Sequence, residues 1–150
     1  VGDGVLKDEL KELTERLGIE HRVTFSGHQE NARTLMKAFD AFVLPSGIEE
    51  AFGMVLLEAM AASIPILSTD APGPKSVVGN AAITFKCDDK VDLVAKLKRM
   101  QALSKQERGE LVGRGSRRLQ ENFSGAVMSQ KIRSLPEIAR LAPTGVERDV

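Results

Sequence analysis

The sequence has no tryptophan, no tyrosine, one cysteine and two histidines. Six phenylalanines are its only aromatics, so stacking platforms for single-stranded nucleic acid are poorly supplied. Lysine plus arginine equals aspartate plus glutamate at 21 each, so no net field draws in a polyanion, and no nucleic-acid partner is expected. Cys87 is alone, which excludes an internal disulfide and fits a reducing, cytoplasmic compartment. The few histidines and the lone cysteine weigh against a zinc site, and no metal is expected. No apolar run approaches the roughly 20 residues that span a bilayer. No secretory signal is visible, and the opening Val1-Gly2-Asp3-Gly4 reads as a segment of something longer.

What the chain does have is 42% hydrophobic and 28% charged residues over 150 positions, enough for one core. Leu6, Leu10, Leu13 and Leu17 recur at helical spacing, and Gly18 ends that helix. His21–Gly27 alternates and predicts a short strand. Ala32–Phe39 predicts a helix capped by Asn31. Ala41–Ser46, Ile64–Thr69 and Ala81–Lys86 read as strands, the first two apolar enough to be buried. A helix is expected from about Phe52 to Ala62, and a Pro/Gly loop over Asp70–Ser76. Further helices are expected over Lys90–Leu103, Lys105–Asn122 and about Gly125–Leu141. Gly109, Gly113 and Gly115 argue against one continuous helix in the second of these. Strands alternating with helices predict α/β architecture, a Rossmann-like parallel sheet layered by helices. Such sheets bind ligands at the carboxyl ends of their strands, which places loops 26–31, 45–53 and 68–76 at the site.

One residue stands out. From Gly53 to Ala62 every position is apolar or small except Glu58. A carboxylate in such a helix is costly unless something satisfies it. Upstream, the loop Ser46–Glu50 leads into the helix start at Phe52-Gly53. A helix N-terminus offers free amides and partial positive charge, which suits phosphate, and Gly53 allows close approach. Two carboxylates flanking such amides complement a nucleotide sugar, with hydroxyls at both ends and a diphosphate between. A bland reading stands beside each residue. Glu58 could be a structural carboxylate, Glu49 and Lys75 solvated, Cys87 a small buried residue, and Met54 and Met60 core filler. Pro72-Gly73-Pro74 could be only a turn. The basic run Lys96, Lys98, Arg99, Lys105, Arg108, Arg114, Arg117 and Arg118 reads as a solvated helix face, with peripheral contact to anionic lipid as the alternative.

The stretch Pro45–Pro74 resembles the signature of retaining GT-B glycosyltransferases of the family 4, or group 1, type. Glu50-Ala51-Phe52-Gly53 and Glu58-Ala59-Met60-Ala61 match its Glu-x7-Glu pattern, and residues 1–28 are similar to the same family's C-terminal domain. The resemblance implies the C-terminal, donor-binding half of a GT-B fold with its first strand–helix unit missing. It implies that residues 1–125 form the nucleotide-sugar-binding part, and that 126–150 form a helix and tail packing toward an absent N-terminal acceptor domain. That packing predicts exposed apolar surface near Val127, Ile132 and Leu135.

In the family, Glu58 would hold the donor's ribose hydroxyls and Glu50, the residue assigned to catalysis, would contact the transferred sugar. Phe52, Gly53, Met54 and Val55 would hold sugar and diphosphate oxygens, chiefly through backbone amides. Gly27 and His28 would lie near the base, and Gly73 would admit the ligand. No cofactor is implied beyond the nucleotide-diphosphate sugar itself, and the acceptor would be a glycan or lipid-linked glycan at the inner face of the membrane. Two departures are visible: Ser63 precedes Ile64-Pro65 where the family usually carries glycine, and Ser76 stands at its usual acidic position. The chain alone is expected to lack transfer activity. Competing readings are a non-catalytic binding or interaction module, a nucleotide-sugar epimerase, a phosphorylase, and a glycoside hydrolase using Glu50 and Glu58. The last would need the carboxylates to face each other across an open cleft of about 5–10 Å.

Overall fold

The computed structural model describes residues 2–136. The chain forms two compact units, Val1–Ala38 and Phe39–Val150. In the first unit, helix α1 (Lys7–Arg16) carries the leucine stripe, with Asp8 and Glu9 in its first turn and Arg16 in its last, complementing the helix dipole. No residue of α1 is buried. Gly18 stops it with φ +63°: its N–H donates to the Glu15 carbonyl at 2.9 Å and that of Ile19 to Thr14 at 3.0 Å, a Schellman closure.

Two expectations fail in this unit. His21–Gly27 is not a strand. Glu20–Arg22 form a 3-10 turn and the rest runs without a ladder. Extended backbone becomes a strand only by pairing, and a single bond from Gly2 N–H to the Gly27 carbonyl at 2.7 Å makes no ladder. Helix α2 is only Ala32–Met36, and the Asn31 side chain does not cap it. Its last turn tightens instead, with Lys37 N–H on Thr34 and Ala38 N–H on Leu35.

The second unit is the expected layered α/β body. Strands β1 (Phe42–Leu44), β2 (Ile66–Thr69) and β3 (Ile83–Phe85) form a parallel sheet in the order β1-β2-β3. Leu67 faces Val43 on one side and Ile83 on the other. Every residue of β2 is buried, as a central strand covered on both faces requires. The strands are shorter than expected: Pro45 and Pro65 have no N–H to give to a ladder and bracket β1 and β2. Leu67, Phe85, Met100 and Leu111 are the centre of a core to which Ala41, Ile83, Leu93 and Leu103 add partly buried surface. Buried Ser68 and Thr69 are satisfied locally, through the Thr69 carbonyl and the Ala71 N–H.

Helix α3 (Met54–Ala61) follows β1 and α5 (Lys90–Gln101) follows β3, as expected. The Asp70–Ser76 loop is instead the start of a helix, α4 (Pro72–Val78). Pro72 and Pro74 both fall in its first turn, where the missing N–H has no helical partner to lose. Helix α6 (Lys105–Phe123) is continuous through Gly109, Gly113 and Gly115. Ser104 and Glu107 form a full capping box at its start, and Gly115 is buried against Met60 of α3. Tertiary packing thus overrides the low helix propensity of glycine. Ser124, extended and capping, separates α6 from α7 (Gly125–Arg133). Helix α7 ends at Arg133, with Ser134 as its C-cap, short of the expected Leu141, and residues 137–141 lie outside the described residues. On α7, Ile132 is half exposed and Leu135 beyond it is 49% exposed, whereas Val127 is partly buried.

Candidate functional site

The stretch between β1 and α3 folds back on its own carboxylate. Glu50 Oε1 accepts the Gly53 N–H at 3.0 Å and the Phe52 N–H at 3.4 Å, and the Glu50 N–H closes a turn onto Gly47 at 3.2 Å. Gly53 stands at the helix entry with φ +84° and ψ +57°, a conformation that other residues adopt at a cost. It is buried, and the place a side chain would take is filled by Leu56 and Leu44. The first use of Gly53 is therefore a left-handed, tightly packed corner.

That corner leaves α3 without a side-chain cap. The first amides of a helix have no acceptor within it, so those of Met54 and Val55 are donors at the positive end of the helix dipole. Glu58 lies four residues after Met54 and three after Val55, on the same helix face. The core face is instead Leu56, Ala59 and Met60. Glu58 is thus half-buried at the edge of the apolar helix, not sunk in it, and it has a partner within the chain.

Gly73 belongs to this corner for a different reason from the one expected. A side chain there would run into the backbone of Glu50 and Ala51. The close approach that Gly73 permits is that of the chain's own loop to α4. Ser76 Oγ, at the family's usual acidic position, donates to the Gly73 carbonyl at 2.7 Å. Lys75 is exposed, as its solvated reading had it.

Phe52 packs edge-on against Phe123 at the end of α6, with ring centroids 6.0 Å apart and planes at 78°. The Arg118 guanidinium lies 5.9 Å from the centre of the Phe123 ring. Arg118 also donates to the carbonyls of Val77 and Ser76, at the C-terminal end of α4 where cations are favoured. Sequence reasoning placed Arg118 in a solvated basic face and did not single out Phe123. The basic run is in part structural: Arg108 donates to the Asp40 carbonyl, Arg114 to that of Asn80 at 2.9 Å, and Arg99 to the Glu107 carboxylate at 2.7 Å. Hydrogen bonds from the Ser104 backbone, the Arg99 guanidinium and the Ser104 hydroxyl hold Glu107 down to about 2.

The structure thus brings Glu50, Phe52, Gly53, Met54, Val55, Glu58 and Gly73 together in the second unit. Gly27 and His28 belong to the first. Gly27 has φ +64° with open space where a side chain would stand, and His28 is exposed. A cleft of about 510 Å³ in the first unit, lined by residues of the stretches Gly2–Leu10 and Val23–Ser26, contains none of the expected site residues. Among the described residues no group of three or more His, Cys, Asp or Glu is placed to hold a metal, and no helix is long and apolar enough to cross a membrane.

The family model described as "Glycosyl transferases group 1" matches residues 1–116. The lipopolysaccharide core biosynthesis glycosyltransferase LpsD of Rhizobium meliloti is 37% identical over 129 residues, covering 83% of this chain and 36% of that protein. Mannosylfructose-phosphate synthase of Agrobacterium fabrum is 32% identical over 148 residues, covering 95% of this chain and 32% of that protein. The chain spans between about a fifth and a third of the curated relatives it matches. Among solved structures, Anabaena HepE in complex with UDP superimposes with a TM-score of 0.78 at 26% identity, over 87% of this chain and 38% of that one.

Proposed function

Because the chain belongs to the glycosyl transferases group 1 family, we propose that it is the donor-binding part of a retaining glycosyltransferase using a nucleoside diphosphate sugar. The observation that carries this reading is the uncapped start of α3, with Glu50 folded over its mouth and Glu58 on the same face as its free amides. The four residues from Met54 to Glu58 rise about 6 Å along the helix, a diphosphate-sized step. Amides of Met54 and Val55 bind diphosphate oxygens and stabilise the charge that develops on them as the donor bond breaks. Glu58 accepts from the ribose hydroxyls. Glu50, oriented by the amides of Phe52 and Gly53, accepts from a hydroxyl of the transferred sugar.

In this reading the bond between the anomeric carbon and the diphosphate breaks as the acceptor oxygen adds from the same face. The acceptor's proton passes to the leaving phosphate, so no side chain is required as base and no metal is invoked. Uracil is the first base to try, since HepE is described with UDP and with UDP-glucose. The acceptor in this reading is a glycan or lipid-linked glycan met at the cytoplasmic face of the membrane; the name of LpsD, a lipopolysaccharide core biosynthesis glycosyltransferase, is in keeping with a glycan acceptor.

Calorimetric titration with UDP-, GDP- and ADP-sugars tests the reading, beside Glu58→Ala. One donor should bind saturably. Loss of hydrogen bonds to a charged group, worth about 1.5–3 kcal/mol, should weaken it at least about tenfold in the variant. No binding of any donor, or equal binding by the variant, would refute the assignment.

A further inference from the structure

We propose that Phe123 is a positioning residue for the donor loop, holding Phe52, and with it the amides at the start of α3, in register. The inference rests on the donor-binding reading of that corner. Helices α3 and α6 pack along each other with Gly115 against Met60. Phe123 lies eight residues after Gly115, and Phe52 eight residues before Met60. The two segments therefore run antiparallel, and over about 12 Å of rise α6 reaches the donor loop with its last residue. The edge-on contact of Phe52 and Phe123 is where it arrives.

The loop needs such a brace. It is bounded by Gly47 and Gly53, and among the described residues its side-chain hydrogen bonds are those that Glu50 accepts from the Phe52 and Gly53 amides. In the proposed complex Glu50 shares its carboxylate between those amides and a sugar hydroxyl, so that packing must carry more of the loop's placement. Two contacts supply that. From α4, Gly73 abuts the Glu50–Ala51 backbone; from α6, Phe123 meets Phe52. Arg118 joins the two, lying over the Phe123 ring while its N–H groups hold the last carbonyls of α4. Phe123 itself is fixed on both sides, by α6 before it and by the Ser124 cap of α7 after it. The donor loop is thus clamped by a closed circuit of Phe52, Phe123, Arg118, α4 and Gly73.

A double-mutant cycle on donor affinity tests this, with Phe52→Leu, Phe123→Leu and the pair, UDP-glucose as titrant, and the melting temperature of each variant recorded. Phe123→Leu should weaken binding about three- to tenfold, the range of an aromatic pair. The double variant should bind no worse than the weaker single, and Phe123→Tyr, which keeps the ring, should bind as wild type does. If Phe123→Leu melts too low to titrate, Arg118→Lys decides, since it leaves Phe123 in place but loosens its seat. It should weaken binding while Phe123→Tyr does not. A wild-type chain that binds UDP-glucose, loses it in Glu58→Ala, yet keeps its affinity in Phe123→Leu overturns this inference alone, as do strictly additive effects. A wild-type chain that binds no donor overturns it together with the donor-binding reading.

Discussion

Replacing Gly53 by alanine should cost far more than the loss of one glycine suggests. Its φ of +84° is strained for any residue with a Cβ, a backbone cost of about 1–2 kcal/mol. The added Cβ would stand 3.0 Å from Leu56 Cδ1 and 3.3 Å from Leu44 Cδ2. Leu56 is fully buried and Leu44 nearly so, so neither side chain can simply swing into solvent. Overpacking of that kind adds about 1–3 kcal/mol. Alanine's smaller unfolded-state entropy returns about 0.4–1 kcal/mol. The net destabilisation is about 1–4.5 kcal/mol, against a typical total of about 5–15. For a chain of this size that lowers the melting temperature by roughly 2–18 °C. Circular dichroism melts and urea titrations measure it. Gly27→Ala is the control: with φ +64° and open space around it, it bears the backbone cost alone, about 1 kcal/mol. Gly53→Ala should also displace the Met54 and Val55 amides and weaken donor binding. A Gly53→Ala chain within about 0.5 kcal/mol of wild type, or no less stable than Gly27→Ala, would refute the packing argument.

Ser63 closes α3 in the left-handed conformation, φ +58°, with the same paired bonds with which Gly18 closes α1. Ser63→Gly should therefore stabilise the protein by about 0.5–1 kcal/mol in a thermal melt, and a lower melting point would count against the closure. Gly109 faces open space in α6, so Gly109→Ala should raise stability by about 1 kcal/mol. Gly115, whose added Cβ would stand 3.4 Å from Met60 Cγ, has no room for more than a methyl, and Gly115→Leu should part α6 from α3 and lose cooperative unfolding. Glu107 is held at about 2 instead of the usual 4.5, so its contribution is fully present above 4.5 and is lost as pH falls toward 2. The melting-temperature gap between wild type and Glu107→Gln should be flat from pH 7 to about 5 and close below it; a gap that widens on acidification would contradict the capping box.

Helices α3, α5 and α6 lie where the sequence placed them, because the apolar pattern of a helix is a local property, although the glycines of α6 argued against its continuity and α4 was read as a loop. The parallel sheet followed from the alternation of elements, since parallel strands need crossovers. The prolines of Asp70–Ser76 misled: their local rule is shared by loops and by the first turn of a helix, and the seat of Gly73 under the Glu50–Ala51 backbone is a tertiary contact that the local sequence does not encode. His21–Gly27 has a strand's composition, but a strand exists only where a partner pairs with it.

The candidate site divides in the same way. The Glu50 and Glu58 pair, Phe52-Gly53 and the helix start are contiguous, so the sequence alone determined which residues stand at the mouth of α3 and which family they belong with. Whether Glu58 lies in the core or at its edge, what fills the space beside Gly53 and Gly73, and that Phe123 and Arg118 reach the loop, depend on how α3, α4 and α6 pack. Those contacts join residues tens of positions apart, and no local pattern encodes them. Tertiary structure alone decided them, because side-chain packing is settled by the shape of the whole core and not by any one segment of it.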